Sequence, residues 1–233
     1  MAKAVVVETR SKRYKEAAKK AVVEPVAVDK AIDVLKTFNP TKFDQSVELI
    51  FSLGIDAKQA DQMIRGSLSL PHGVGKTKRV VAFCPEHLAP VAIAAGAIRA
   101  GGAELVQAIE KENFTDFDVA VATPDMMRFV GRLGKVLGPK GLMPSPKAGT
   151  VTPDVQAAVR EYAAGKIEYR NDSGGNVHTV VGKVSFENSK LAENINAMIA
   201  QIRKVKPSTS KGQYFKKVVI KATMTPAVTL AVV

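Results

Sequence analysis

The chain has 233 residues, 46% of them hydrophobic, which excludes general disorder and provides for one large domain or two small ones with separate cores. No apolar run approaches the ~20 residues of a membrane span, and a single cysteine, Cys84, excludes an internal disulfide. Lysine and arginine number 34 against 22 acidic residues, a formal +12 that favours a polyanionic partner.

The first twenty residues, MAKAVVVETRSKRYKEAAKK, show a short apolar patch followed by charge. That is unlike a secretory signal, so a cytoplasmic protein is expected. Residues 12–20 read as a basic helical segment or tail, and 29–35 continue with helical spacing. Over 46–53, Val47, Leu49, Phe51 and Leu53 alternate with polar positions, the mark of a half-buried strand. A short helix is predicted over 57–65, ended by Gly66. The pattern then changes. Residues 79–84 and 117–123 are short, nearly all-apolar strands of the kind buried on both faces of a parallel sheet. An alanine-rich stretch, 89–100, predicts a helix between them that closes at Gly101-Gly102. The β-α-β alternation marks an α/β unit.

Residues 138–150, GPKGLMPSPKAGT, are dense in glycine and proline and predict a loop or hinge. Beyond it the α+β pattern of the N-terminal segments resumes, with a helix over 155–164, strands over 166–171 and 179–186, a helix over 191–204 and a strand over 214–224 that carries Lys216, Lys217 and Lys221. This order predicts an α+β domain built from both ends of the chain and interrupted by an inserted α/β domain. Charge follows the same division. Residues 71–150 hold 10 basic and 7 acidic side chains, a net +3, whereas the two ends together carry the other +9. Ends that fold together would make the basic face.

No catalytic constellation emerges. The stretch LPHGVGKTKR, residues 70–79, contains Gly75-Lys76-Thr77, the tail of a phosphate-binding G-x-x-x-x-G-K-[ST] loop, but Leu70 stands where the first glycine belongs. Such a loop follows a strand and opens a helix; here the strand-like run Val80 to Cys84 comes after it. Gly138-Pro139-Lys140-Gly141 has the GxxG form of a KH loop, yet its prolines suit a rigid connector. Lys76, Lys140 and Lys147 remain candidates for auxiliary phosphate contacts. His72, His87 and His178 lie in separate segments without carboxylate or cysteine at ligand spacing, so no metal site is expected. Glu110, Glu112, Asp116 and Asp118 around Asn113-Phe114 read as a solvated loop, and Cys84 as a buried free thiol. Neither catalytic residues nor a cofactor are expected.

The segments 41–76, 117–151, 165–175, 181–195 and 221–228 together resemble, in collinear order, the L-one stalk protein family of the bacterial large ribosomal subunit. Leu-Pro-His-Gly-x-Gly-Lys at 70–76 and Gly-Pro-x-Gly-Leu-Met-Pro at 138–144 are its most specific signatures. The resemblance implies a two-domain α/β protein: a discontinuous α+β sandwich domain over 1–67 and 160–233 and a Rossmann-like domain over 68–159, with hinge loops near 67–78 and 138–160. It implies binding to large-subunit ribosomal RNA at the mobile stalk beside the exit site for tRNA, and repression through a similar structure in the protein's own operon messenger RNA. Exit-site tRNA would be a further partner in the assembled ribosome. Off the ribosome the protein would be a monomer, and it would be no enzyme.

Carried over residue by residue, the resemblance implies RNA contacts by Lys42 and Phe43, by Glu48, by Arg170, Asn171 and Asp172, by Lys211 and Gly212, and by Thr223 and Met224. The family's Thr-Met-Gly-Pro turn has threonine at Thr225 here in place of glycine, and Pro226 follows. Threonine lacks glycine's backbone freedom, which leaves the geometry of this turn open. Ser145 stands where the family commonly has asparagine. The rival reading is a nucleotide-dependent enzyme that uses Gly75-Lys76-Thr77 and the α/β insert.

Overall fold

Ser11 caps the first described helix, its Oγ accepting the Tyr14 N–H at 3.3 Å. The computed structural model describes residues 11–22, 24–38, 41–112 and 114–232; the apolar patch at residues 4–7 and Asn113 of the expected turn lie outside them. In chain order the elements are α1 (Lys12–Lys20), α2 (Val28–Lys36), β1 (Ser46–Leu53), β2 (Arg65–Leu68) and β3 (Val80–Phe83). Next come α3 (Ala89–Ala94), β4 (Ala97–Gly101), α4 (Ala103–Glu112), β5 (Val119–Ala122) and the short α5 (Met127–Val130) and α6 (Gly134–Leu137). The remainder is α7 (Val155–Ala163), β6 (Ile167–Arg170), β7 (Asn176–Lys183), α8 (Asn188–Lys204), β8 (Phe215–Ala222) and β9 (Val228–Thr229).

Two compact units result. The first takes the described part of Met1–Ile64 together with Leu70–His72 and Arg170–Val233. Its sheet has the order β7-β1-β8-β9. β1 lies antiparallel between β7 and β8, with Leu49 opposite both Thr179 and Ile220. The expected alternation holds: Val47, Leu49, Phe51 and Leu53 are all buried. They share that core with Ile32 and Leu35 of α2 and with Leu191, Ile195, Met198 and Ile202 of α8. Glu48, Ile50 and Ser52 face the other way and are half-buried.

The second unit is Arg65–Ser69 with Gly73–Tyr169. Its parallel sheet has the order β4-β3-β5. Val81, Phe83, Ala120 and Ala122 pack on one face with Val106 and Ile109 of α4. Val80, Ala82, Cys84 and Val121 pack on the other with Val155, Val159 and Tyr162 of α7. Both faces are covered, which is why these strands are apolar at every position. All of α7, which straddles the expected boundary at residue 160, lies in this unit. Burial also pushes the Cys84 thiol up in pKa, so it stays protonated and inert.

Several expected elements are corrected. Residues 57–62 form turns rather than a helix. Asp56 Oδ1 accepts the Lys58 N–H, and Gln62 Oε1 accepts the Asp56 N–H, so side chains supply the local bonds a helix would have made. Gly66 is not a helix stop; it lies in β2, where an added Cβ would stand 2.6 Å from the Tyr169 hydroxyl. The alanine-rich helix ends at Ala94, because Gly96 takes φ +110 and turns the chain into β4. A further helix, α4, occupies the ground read as a solvated loop around Glu110 and Glu112. The strand expected at 179–186 begins sooner, at Asn176, directly after the turn closed by Asp172.

Asn194 of α8 is fully buried and joins two backbone segments of the first unit. Its Nδ2 donates to Val181 O at 2.8 Å, and its Oδ1 accepts the His72 N–H at 3.1 Å. Asn194→Ala strips partners from a carbonyl and an amide together and should cost about 2–4 kcal/mol, read as a lower urea midpoint at unchanged slope.

Candidate nucleic-acid interface

The start of β1 and the end of β8 are fastened to each other by side chains as well as by the sheet. Ser46 N–H donates to Thr223 Oγ1 at 3.2 Å, and the Thr223 N–H returns a bond to Ser46 O at 3.2 Å. Gln45, almost fully buried, accepts the Met224 N–H on its Oε1 at 2.9 Å. With the backbone held this way, two large apolar side chains are left in solvent: Phe43 is 53% exposed and Met224 48%. A monomer core would bury both, so their exposure is the informative observation.

Cations surround them. Lys42 is exposed beside Phe43. Lys183 Nζ donates to Ser46 Oγ at 2.9 Å. Lys221 Nζ lies 3.2 Å from Glu48 on the open face of the sheet, so Glu48 holds a lysine in position there. Gln45, Ser46 and Lys183 are parts of this arrangement that sequence reasoning missed. Only the strand register, which pairs Ser46 with Lys183 and Val47 with Ala222, brings them in.

Thr225 does not disrupt the turn. Its N–H closes a four-residue turn onto Ala222 O at 3.1 Å, and its Oγ1 accepts the Ala222 N–H at 2.9 Å and donates to Pro226 O at 3.1 Å. The hydroxyl supplies bonds that brace the turn.

The other expected residues lie elsewhere. Asn171 is buried, its Oδ1 accepting the Ile64 N–H at 2.8 Å. Asp172 closes the turn into β7 by accepting from the N–H groups of Gly174 and Asn176. Asn176 pairs with Ser52 near the far end of β1, so this turn is about 20 Å from Thr223 along the strand. Lys211 and Gly212 belong to that far end as well. Ser210 Oγ donates to Gly54 O at 2.8 Å, and Lys211 and Lys216 share a hollow of about 510 Å3 with Asp56 and Gln62. Arg170 is exposed in β6. The expected residues therefore fall into two groups, one near the start of β1 and one near its far end, with Arg170 in the separate two-stranded sheet β2-β6.

Lys76, Lys140 and Lys147 are exposed in the second unit. Lys76 faces Asp118 at 3.7 Å, and Lys140 donates to Thr115 Oγ1 at 2.5 Å. Gly73 and Gly75 take φ +60 and +72, and the chain then enters β3 instead of a helix, so no helix N-terminus faces this loop. A hollow of about 1180 Å3 in the second unit runs beside the edge strand β4 and is mainly apolar; its Arg99 already lies over the Phe114 ring. It offers little to a phosphate. Among the described residues no group of three or more His, Cys, Asp or Glu side chains converges as for a metal ion, and no helix is long and apolar enough to cross a membrane.

This end of the sheet, with a fastened turn, two exposed apolar side chains and nearby lysines, has the groups that RNA contacts use. Comparison with known proteins gives it a family. The chain belongs to the Ribosomal protein L1p/L10e family, matched over residues 35–226. It is 50% identical over 222 residues to the large ribosomal subunit protein uL1 of Kosmotoga olearia, covering 95% of this chain and 96% of that protein. The protein of the same name from Paenarthrobacter aurescens is also 50% identical, covering 95% and 94%. These are structural proteins of the ribosome and not enzymes.

Hydrogen bonds from the Asn176 backbone and side chain hold the Asp172 carboxyl below its ordinary pKa. A depressed value means that Asp172 stabilises the fold above the ordinary aspartate pKa of about 3.9 and that this contribution is lost as pH falls through the lower folded value. Thermal melts between pH 7 and 2.5 should therefore converge for the parent and Asp172→Ala only at the acid end, with the variant lower at neutral pH.

Proposed function

We propose that this chain is a structural component of the large ribosomal subunit, binding large-subunit ribosomal RNA at the mobile stalk near the tRNA exit site through its first unit. The observation that carries the reading is the fastened edge at Ser46 and Thr223, which leaves Phe43 and Met224 exposed among lysines. Family membership supports it. Lysines supply attraction to phosphate, and the apolar pair packs against sugars and bases of a wide RNA minor groove. Glu48 orders Lys221 and limits non-specific attraction. The far cluster of Arg170 and Lys211 serves as a second phosphate contact. The protein works in the cytoplasm, is a monomer off the ribosome, and meets exit-site tRNA once assembled. It also represses translation of its own operon by binding a similar structure in the messenger RNA. In this reading the two chain ends form the RNA-binding domain, and the parallel α/β unit is an insert that carries the auxiliary lysines Lys76, Lys140 and Lys147.

Titration of a stalk RNA fragment tests the reading. With about five to eight phosphates neutralised, log K should fall against log[salt] with a slope of about −3.5 to −7. Lys42→Ala should lower that slope by about one. Phe43→Ala and Met224→Ala should each cost about 1–3 kcal/mol with the slope unchanged. A slope near zero, or parental affinity in both apolar variants, would sink the proposal.

Thr225 provides a separate check on the turn. Thr225→Ser keeps the hydroxyl and should bind as the parent does, whereas Thr225→Val loses it and should weaken binding by about 0.5–1.5 kcal/mol. Equal affinity in Thr225→Val would show that the hydroxyl does not position the turn.

A further inference from the structure

A hollow of about 480 Å3 opens in the first unit where the beginning of α1 meets the turn after β8. Arg13 and Tyr14 of α1 line it together with Lys221, Thr223 and Met224. The volume falls within the roughly 300–1,000 Å3 of small-ligand sites. Its chemistry is divided. Tyr14 and Met224 present a ring and a thioether, while Arg13 and Lys221 present cations.

The two cations are not equivalent. Lys221 is paired with Glu48 at 3.2 Å, which offsets its charge. Arg13 is half-buried and makes no ion pair among the described residues. A half-buried, uncompensated guanidinium beside an aromatic ring and an exposed thioether suits a planar group joined to an anion. RNA offers that combination wherever a base leaves the stack: the base lies on an aromatic face, and its phosphate takes a guanidinium fork. Met224, on the edge that fastens β1 to β8, also lines this hollow. A strand crossing that edge would therefore pass its mouth.

We propose that the hollow accepts one unstacked nucleotide of the bound RNA, its base between Tyr14 and Met224 and its phosphate on Arg13. This rests on the RNA-binding reading above and adds to it a site on α1, which lies outside residues 35–226, over which the chain matches the family. Recognition of one splayed nucleotide would make this chain discriminate among RNAs of similar helical shape.

Binding of a large-subunit stalk RNA fragment to the full chain tests the proposal. Arg13→Ala and Tyr14→Ala should each weaken binding five- to twenty-fold, and Arg13→Ala alone should reduce the salt slope by about one. Tyr14→Phe should retain affinity because the ring remains. Lys15→Ala, an exposed change on the same helix, controls for loss of α1 itself, which circular dichroism would also reveal. Substituting single positions of the RNA with 4-thiouridine and irradiating should give one dominant crosslink to Tyr14. If Phe43→Ala and Met224→Ala weaken binding while folded Arg13→Ala and Tyr14→Ala bind as the parent does, the nucleotide site is overturned and the RNA-binding reading stands. If none of the four weakens binding, the RNA-binding reading fails first, and the site falls with it.

Discussion

The structure depends on one pairing above all: β1, from the first quarter of the chain, inserted antiparallel between β7 and β8 from its last quarter. More than a hundred residues separate β1 from either partner, so the ordering entropy of closing that loop must be met by what the pairing buries. Val47, Leu49, Phe51 and Leu53 meet it by entering one core with α2 and α8. The same register aligns the side chains of the proposed interface. It sets Ser46 against Thr223, Glu48 against Lys221 and Ser52 against Asn176. A one-residue slip would send Glu48 into the core and Leu49 into solvent, so fold and binding edge are specified by one constraint.

Electrostatics follow from that topology rather than from composition alone. The excess of +9 in the two chain ends would be diffuse on an extended chain; folding the ends into one sheet gathers Lys42, Lys183 and Lys221 around a single edge. Glu48 fixes one of these lysines, and Asp172, at the far end of the sheet, commits both oxygens to the turn before β7. Such fixed cations lose less side-chain freedom on meeting a phosphate than lysines free in solvent.

What could be read in advance had a local physical signature. The alternation of β1, the unbroken apolar runs of β3 and β5, and the long period of α8 each follow from what their neighbours bury. Phe43 and Met224 were legible only through family resemblance, because nothing local distinguishes an exposed phenylalanine from a core one. The errors have a common origin in competition between local signals. Alanine-rich sequence favours a helix up to residue 100, but Gly96 takes a backbone angle that alanine avoids, and β4 gains a parallel partner in β3. Around 57–62, Asp56 and Gln62 bond to backbone and outcompete the helix. Distances across a sheet have no local signature at all. Arg170 and Lys211 carry the same charge as Lys42 and Lys221, yet their neighbours Asn171 and Ser210 tie to Val177 and Gly54, at the other end of β1.

Thr225 illustrates how one structural demand can be met by different chemistry. Glycine in a tight turn succeeds by conformational freedom, at the cost of a more mobile backbone. Threonine is stiff at χ1, and that stiffness aims its hydroxyl at the turn it sits in, where it accepts from Ala222 and donates to Pro226. The hydroxyl takes up an amide at the last residue of β8, just where the sheet stops providing partners. A loop whose amide is satisfied internally has no need of solvent there. The threonine thus links the end of the strand to the exposed Met224 beside it: it braces the backbone while the flexible thioether side chain stays in solvent.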